Sequence, residues 1–219
     1  MRARDAILAR VRSALSDVPA GMPADEDTPV PWEYGRPTAM PDVLERFVER
    51  VEDYKATVDQ VSPDVVAGAV ATALLAHGAS TVVLPAGIPD DWREAIATAG
   101  MTPVSDDPLL DNAALDAVSA VVTGAAVGAA ESGTIVLDHG PDQGRRALSL
   151  VPDVHVCVIR ASQVVSDVPE AVARLAGAVT GQGPMTWISG GSATSDIELS
   201  RVEGVHGPRT LRVVLVLDA

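Results

Sequence analysis

Residues 81–123 read TVVLPAGIPDDWREAIATAGMTPVSDDPLLDNAALDAVSAVVT, and their alternation decides the fold. Thr81–Pro85 is a short apolar run rich in β-branched residues and predicts a strand. Asp90–Ala99 then predicts a helix, Met101–Ser105 a second short strand, Asp111–Asp116 a helical turn and Ala117–Thr123 a third strand. Strands that are apolar along their whole length are covered on both faces, and strands interleaved with helices build a mostly parallel sheet between helical layers. The expectation is an α/β fold.

Outward from this stretch the pattern continues in both directions. Upstream, Val43, Leu44, Phe47, Val48 and Val51 recur at helical spacing, Thr57–Val61 reads as a strand, and Ser62-Pro63-Asp64 starts a helix that runs to His77-Gly78. Downstream, Gly133–Asp138 and Val154–Arg160 read as strands, Pro169–Val179 as a helix, and Met185–Ser189 and Leu211–Leu217 as the last strands. The amino-terminal part differs in kind. Ala6, Ile7, Val11, Ala14 and Leu15 mark an amphipathic helix studded with Arg2, Arg4, Arg10 and Arg12, and residues 18–41 hold six prolines with Asp25-Glu26-Asp27. This gives a helix and proline-rich arm over residues 1–40 and one domain over 41–219. The basic helix suits an acidic partner or a second subunit of a homo-oligomer, and the same pattern also describes a solvated helix face.

Composition narrows the function classes. A formal net charge of −14 opposes binding to nucleic-acid phosphates, which needs a basic patch. The lone cysteine, Cys157, cannot supply a four-thiolate iron–sulfur site, and its apolar surroundings in Val154–Ile159 predict a buried, inert thiol. No apolar run approaches the roughly 20 residues of a membrane span, and no secretory leader is legible, so the cytoplasm is the expected compartment. The four histidines lack metal-ligand spacing. Neither a G-x-G-x-x-G fingerprint nor a P-loop with its lysine occurs, Lys55 being the only lysine, so no resident cofactor is expected.

The chemistry-bearing motifs lie toward the carboxyl terminus. Residues 187–207 read WISGGSATSDIELSRVEGVHG. Ser189, Gly190, Gly191 and Ser192 remove bulk where a strand ends, and Thr194 or Ser195 is placed to cap a short helix with Asp196 in its first turn. Backbone N–H groups converging there suit a phosphate or carboxylate; the same residues also make a tight turn between packed elements. Gly204-Val205-His206-Gly207-Pro208 forms a second glycine-rich turn. Its His206 is suited to donate to a substrate or shuttle a proton, or else bonds its own loop. Glu131 follows a run of Ala and Gly and is flanked by Ser132, Gly133 and Thr134; it is either a reactive carboxylate or a turn residue. Arg145 and Arg146 offer forked donors to an anion, with one of the pair expected to be structural. His155 alternates with valines and reads as a satisfied core histidine. Glu131–Thr134, Ser189–Ser195 and Gly204–Gly207 are all expected at the carboxyl ends of strands, the usual ligand crevice of open α/β sheets.

The order Ser-Gly-x-Ser-x-Thr-x-Asp-Ile-Glu, then Gly-Val-His-Gly-Pro, then an apolar strand, resembles the carboxyl-terminal motifs of the LUD-domain family. Glu131–Leu137 and Arg146–His155 agree with it, so the resemblance runs from about residue 129 to the end and more loosely back to Pro41. Gly191 stands where the family pattern has proline, and Ala193 where it has arginine, which weakens an anion pocket. The resemblance implies a three-layer αβα fold similar to that of CoA transferases and ribose-phosphate isomerase. It also implies a non-iron–sulfur component of a system that oxidises L-lactate to pyruvate with iron–sulfur partner proteins and binds a small anionic ligand. The alternative it leaves open is a transferase- or isomerase-like enzyme using Glu131 on an acyl or phosphorylated substrate.

Overall fold

The structure, a computed structural model, describes residues 3–17, 36–181, 183–194, 202–203 and 207–217. Contacts divide the chain into two units, Met1–Tyr34 and Gly35–Ala219. In the first, Ala3–Ala14 forms helix α1, none of whose residues is buried.

The second unit is built on six parallel strands. These are β1 (Thr57–Val61), β2 (Thr81–Leu84), β3 (Thr102–Ser105), β4 (Ala120–Thr123), β7 (Val154–Arg160) and β12 (Thr210–Val216), in the order β1-β12-β7-β4-β2-β3. The central strands are largely buried on both sides, as their predominantly apolar content requires. On one face Val82, Leu84, Val122, Val156 and Val214 pack against α3 (Val66–Ala76) and α4 (Asp90–Thr98). On the other, Cys157, Ile159, Val213 and Leu215 meet Phe47 and Val51 of α2 (Val43–Asp53). Asp42 caps α2, its carboxylate accepting from the N–H groups of Leu44 and Glu45 at 2.9 and 3.0 Å.

A second sheet completes this side, in the order β8-β5-β6-β9, from β5 (Val127–Ala129), β6 (Thr134–Leu137), β8 (Val164–Val165) and β9 (Thr186–Ile188). Its inner side adds Ile135 and Leu137 to the Phe47 cluster, and its outer side is covered by Ala171 and Leu175, in and just after α5 (Val168–Arg174). The strands expected at Gly133–Asp138 and Met185–Ser189 thus lie at 134–137 and 186–188 in a second, partly antiparallel sheet, and Val127–Ala129 within the small-residue run adds a strand to it. The small residues have a packing reason. A Cβ on Gly128 would lie 2.9 Å from Phe47, the only phenylalanine in the chain.

Candidate functional site

Most of the residues singled out around 189 and 207 do converge, and backbone constraints bring them together. Gly190 has φ +83, and a Cβ there would lie 2.4 Å from Tyr54 Cβ; a Cβ on Gly191 would lie 2.5 Å from the Arg209 carbonyl oxygen. Only glycine allows this double approach. The Ser192 N–H then donates to Pro208 O at 2.7 Å, fastening 189–192 to 207–209. A hydroxyl chain joins this loop to β6, with Ser132 Oγ 2.8 Å from Thr134 Oγ1 and Thr134 Oγ1 2.9 Å from Ser189 Oγ. Beneath lies a cleft of about 240 Å³ bordered by Ser149, His155, Thr186, Ser189, Ser192 and Gly207.

This cleft lies at the amino ends of the parallel strands and not, as expected, at their carboxyl ends. Gly207–Arg209 runs into β12 at Thr210, and His155 is the second residue of β7. A loop that precedes a parallel strand belongs to its amino end. Of the two caps expected for a short helix here, Thr194 instead lies in a strand. Ala193–Thr194 (β10) pairs antiparallel with Val202–Glu203 (β11). Ser195, Asp196 and His206 lie outside the described residues.

Glu131 parts company with its neighbours. It sits in the turn between β5 and β6, where Gly133 at φ +58 presses on the backbone of Arg50. Its N–H donates to Ser166 O at 2.9 Å, and its half-exposed carboxylate lies 3.4 Å from Arg46 Nε, on the α2 side of the hairpin. Ser132 and Thr134 join Ser189; Glu131 opens onto a surface depression with Thr38, Asp42 and Glu49.

The arginine pair divides as well. Arg145 grips Asp106 with both Nε and Nη2, at 2.7 and 2.8 Å, and also donates to Leu110 O. That grip holds the Asp106 carboxyl below its usual range. Arg145 is thus the structural member. Arg146 is exposed and borders a depression with His139 and Pro141.

His155 is 1% exposed, with Nε2 2.8 Å from Thr123 Oγ1, and burial pushes its pKa down to about 4. Burial likewise pushes the Cys157 thiol up to about 12, which keeps it protonated and unreactive.

A second hollow, which the sequence reading did not anticipate, opens at the carboxyl ends. The strand order reverses between β2 and β4, and there a crevice of about 620 Å³ is lined by Asp91, Trp92, Asp142, Arg160 and Gln163 among others. The loop Asp138–Gly144 closes one side, with Gly87 and Gly124 donating their N–H groups to Pro141 O and Asp142 O at 2.8 and 2.9 Å. Buried Gln143 receives the N–H groups of Asp138 and His139. The clue in sequence was the punctuation Asp138-His139-Gly140-Pro141-Asp142-Gln143-Gly144 directly after a strand. Among the described residues, no three of His, Cys, Asp and Glu converge to hold a metal ion, and no helix is long and apolar enough to cross a membrane.

Comparison with known proteins follows the same geometry. The LUD domain matches residues 44–216, which spans both sheets. Lactate utilization protein C of Deinococcus radiodurans is 50% identical over 186 residues, covering 85% of each chain. The protein of the same name from Geobacillus kaustophilus is 29% identical over 170 residues, 69% of each. A crystal structure of a DUF162 family protein from Deinococcus radiodurans superposes with a TM-score of 0.70 at 46% identity, covering 82% of this chain and 99% of the other. The chain therefore belongs to the LUD-domain family, as a relative of lactate utilization protein C.

Proposed function

We propose that this protein is a non-iron–sulfur component of a cytoplasmic system that oxidises L-lactate to pyruvate, working beside iron–sulfur proteins and binding a small carboxylate in the amino-end cleft. The observation that carries the reading is the convergence of Ser189, Ser192, Thr186 and Gly207 on a cleft of about 240 Å³, a volume scaled to a small metabolite. The inert state of Cys157 supports the division of labour, because the chain's single thiol is sealed away from any shared cluster. The Glu131 alternative has less support: a solvent-washed carboxylate paired with Arg46 lacks the desolvated surroundings that activate a nucleophile.

The test is reconstitution of lactate-dependent reduction of an electron acceptor by the iron–sulfur proteins of such a system, with and without this chain. Omission is expected to lower the rate at least about tenfold, roughly 1.4 kcal/mol of barrier. An unchanged rate on omission defeats the proposal.

A further inference from the structure

The carboxyl-end crevice takes no part in the lactate reading, and its three charged side chains differ in kind. Asp91 and Arg160 are exposed, whereas Asp142 is only partly so, and Trp92 is half-buried against the core that holds α3 and α4. Asp91 stands in the first turn of α4, where the helix dipole favours an acid, and Arg160 brings the opposite charge to the same crevice. No helix start calls for Asp142. Val66, Ile88 and Val158 give the crevice an apolar wall.

The chain makes room for the Asp142 carboxylate. A Cβ on Gly124 would collide with Asp142 Oδ2, so the carboxylate takes the place of a side chain just past β4, where the strand order reverses. The backbone that carries it is fastened on both sides. Gly87 and Gly124 donate to Pro141 O and Asp142 O at 2.8 and 2.9 Å, and Gln143 Oε1 accepts from the N–H groups of Asp138 and His139 at 2.7 and 3.0 Å. Among the described residues, no hydrogen bond or ion pair meets the Asp142 side chain, and its charge is felt inside the core: burial, with the Asp142 charge adding to it, pushes the Cys157 thiol up to about 12. A carboxylate held beside apolar walls without a cation of its own is met best by a cation from outside. A metal ion does not suit the place, since no three of His, Cys, Asp and Glu converge among the described residues.

We infer that the carboxyl-end crevice is a second ligand site, selective for a small organic ammonium whose charged head pairs with Asp142 and whose apolar stem lies against the Trp92 wall. A crevice of about 620 Å³ admits a metabolite of that kind. The indole adds attraction for a cation, and the net charge of −14 favours the approach of cations over anions. The site lies at the opposite end of the sheet from the hydroxyl-lined cleft and stands independently of the carboxylate reading made there.

The experiment titrates the full chain at neutral pH with n-pentylamine, 1-pentanol and pentanoate, probes that share a stem and carry a positive, neutral or negative head. Binding is followed by calorimetry and by the indole N–H signal of Trp92, assigned with Trp92→Phe. The inference expects pentylamine to bind at least about tenfold more tightly than pentanol, pentanoate to bind more weakly still, and the Trp92 signal to move with the amine. Asp142→Asn keeps the shape and removes the charge; it is expected to lower the amine's affinity at least about fivefold and to leave pentanol within about twofold. An amine bound no more tightly than the alcohol overturns the inference, as does a Trp92 signal unmoved at saturating amine. A preference for the amine that survives undiminished in a folded Asp142→Asn overturns it too. If that variant does not fold, the wild-type comparison of the three heads and the Trp92 signal decide the matter by themselves. A titration with L-lactate on the same protein tests the amino-end cleft separately.

Discussion

The two ends of the main sheet offer different hollows. At the amino ends a cleft of about 240 Å³ is lined by hydroxyls, glycines and a neutral histidine; at the carboxyl ends a crevice of about 620 Å³ is lined by Asp91, Asp142, Arg160 and Trp92. The general rule for open α/β sheets favours the second place, yet the family's glycine- and serine-rich motif gathers at the first. The second sheet accounts for the difference. Strand β9 pairs with β6 and not with the main sheet, so the loop after it is delivered beside Tyr54 and the entry to β12. Both walls are fastened backbone to backbone, and they differ at individual glycines: Gly190 abuts Tyr54 at its Cβ, whereas Gly124 faces the Asp142 side chain.

Glycine replacements sharpen this contrast most. Gly190→Val puts a β-branched residue at φ +83 against Tyr54, and strain and overpacking together are expected to cost about 4 kcal/mol in urea unfolding. Gly124→Ala at the carboxyl end meets chiefly the Asp142 carboxylate tip, which can swing away, and is expected to cost about 1 kcal/mol. Equal costs at the two positions would erase the distinction between a glycine held against a fixed neighbour and one facing a side chain that can move.

The next effect concerns pH. His155 titrates near 6.5 when unfolded and at about 4 when folded, so between those values the unfolded chain binds more protons. Its stability contribution is fully present above about pH 6.5 and is lost as pH falls toward 4, about 3 kcal/mol in all. Urea midpoints measured across that window are expected to fall less steeply for His155→Leu than for the wild type. Parallel pH profiles would mean that His155 is not a neutral buried group.

Glu131→Gln is expected to do least. A half-exposed, solvent-screened ion pair with Arg46 stabilises little, and lactate-dependent electron transfer by the reconstituted system should change less than about twofold. A loss of about 1000-fold with unchanged stability would bring the covalent-carboxylate enzyme to the front.

How much of this was legible in the sequence follows from the range over which each feature is decided. Largely apolar runs such as Val154–Ile159 and Leu211–Val216 dictated buried parallel strands, apolar spacing dictated α2, and the order of the motifs pointed to the family. The solitary cysteine in its apolar strand was already a buried thiol on paper. These are local facts, because periodicity reports how one element's faces are covered. Which sheet a strand joins is decided by partners far along the chain: Ile135 opposite Ile188, or Val213 opposite Cys157. Pairing alone separated Glu131 from Ser132 and Thr134, tied Arg145 to Asp106 while Arg146 stayed exposed, and set the glycine loops at the amino end. Sequence determined the elements and the kinship; tertiary structure decided which side chains meet, because closing a chain over long separations is a property of the whole packing and not of any segment.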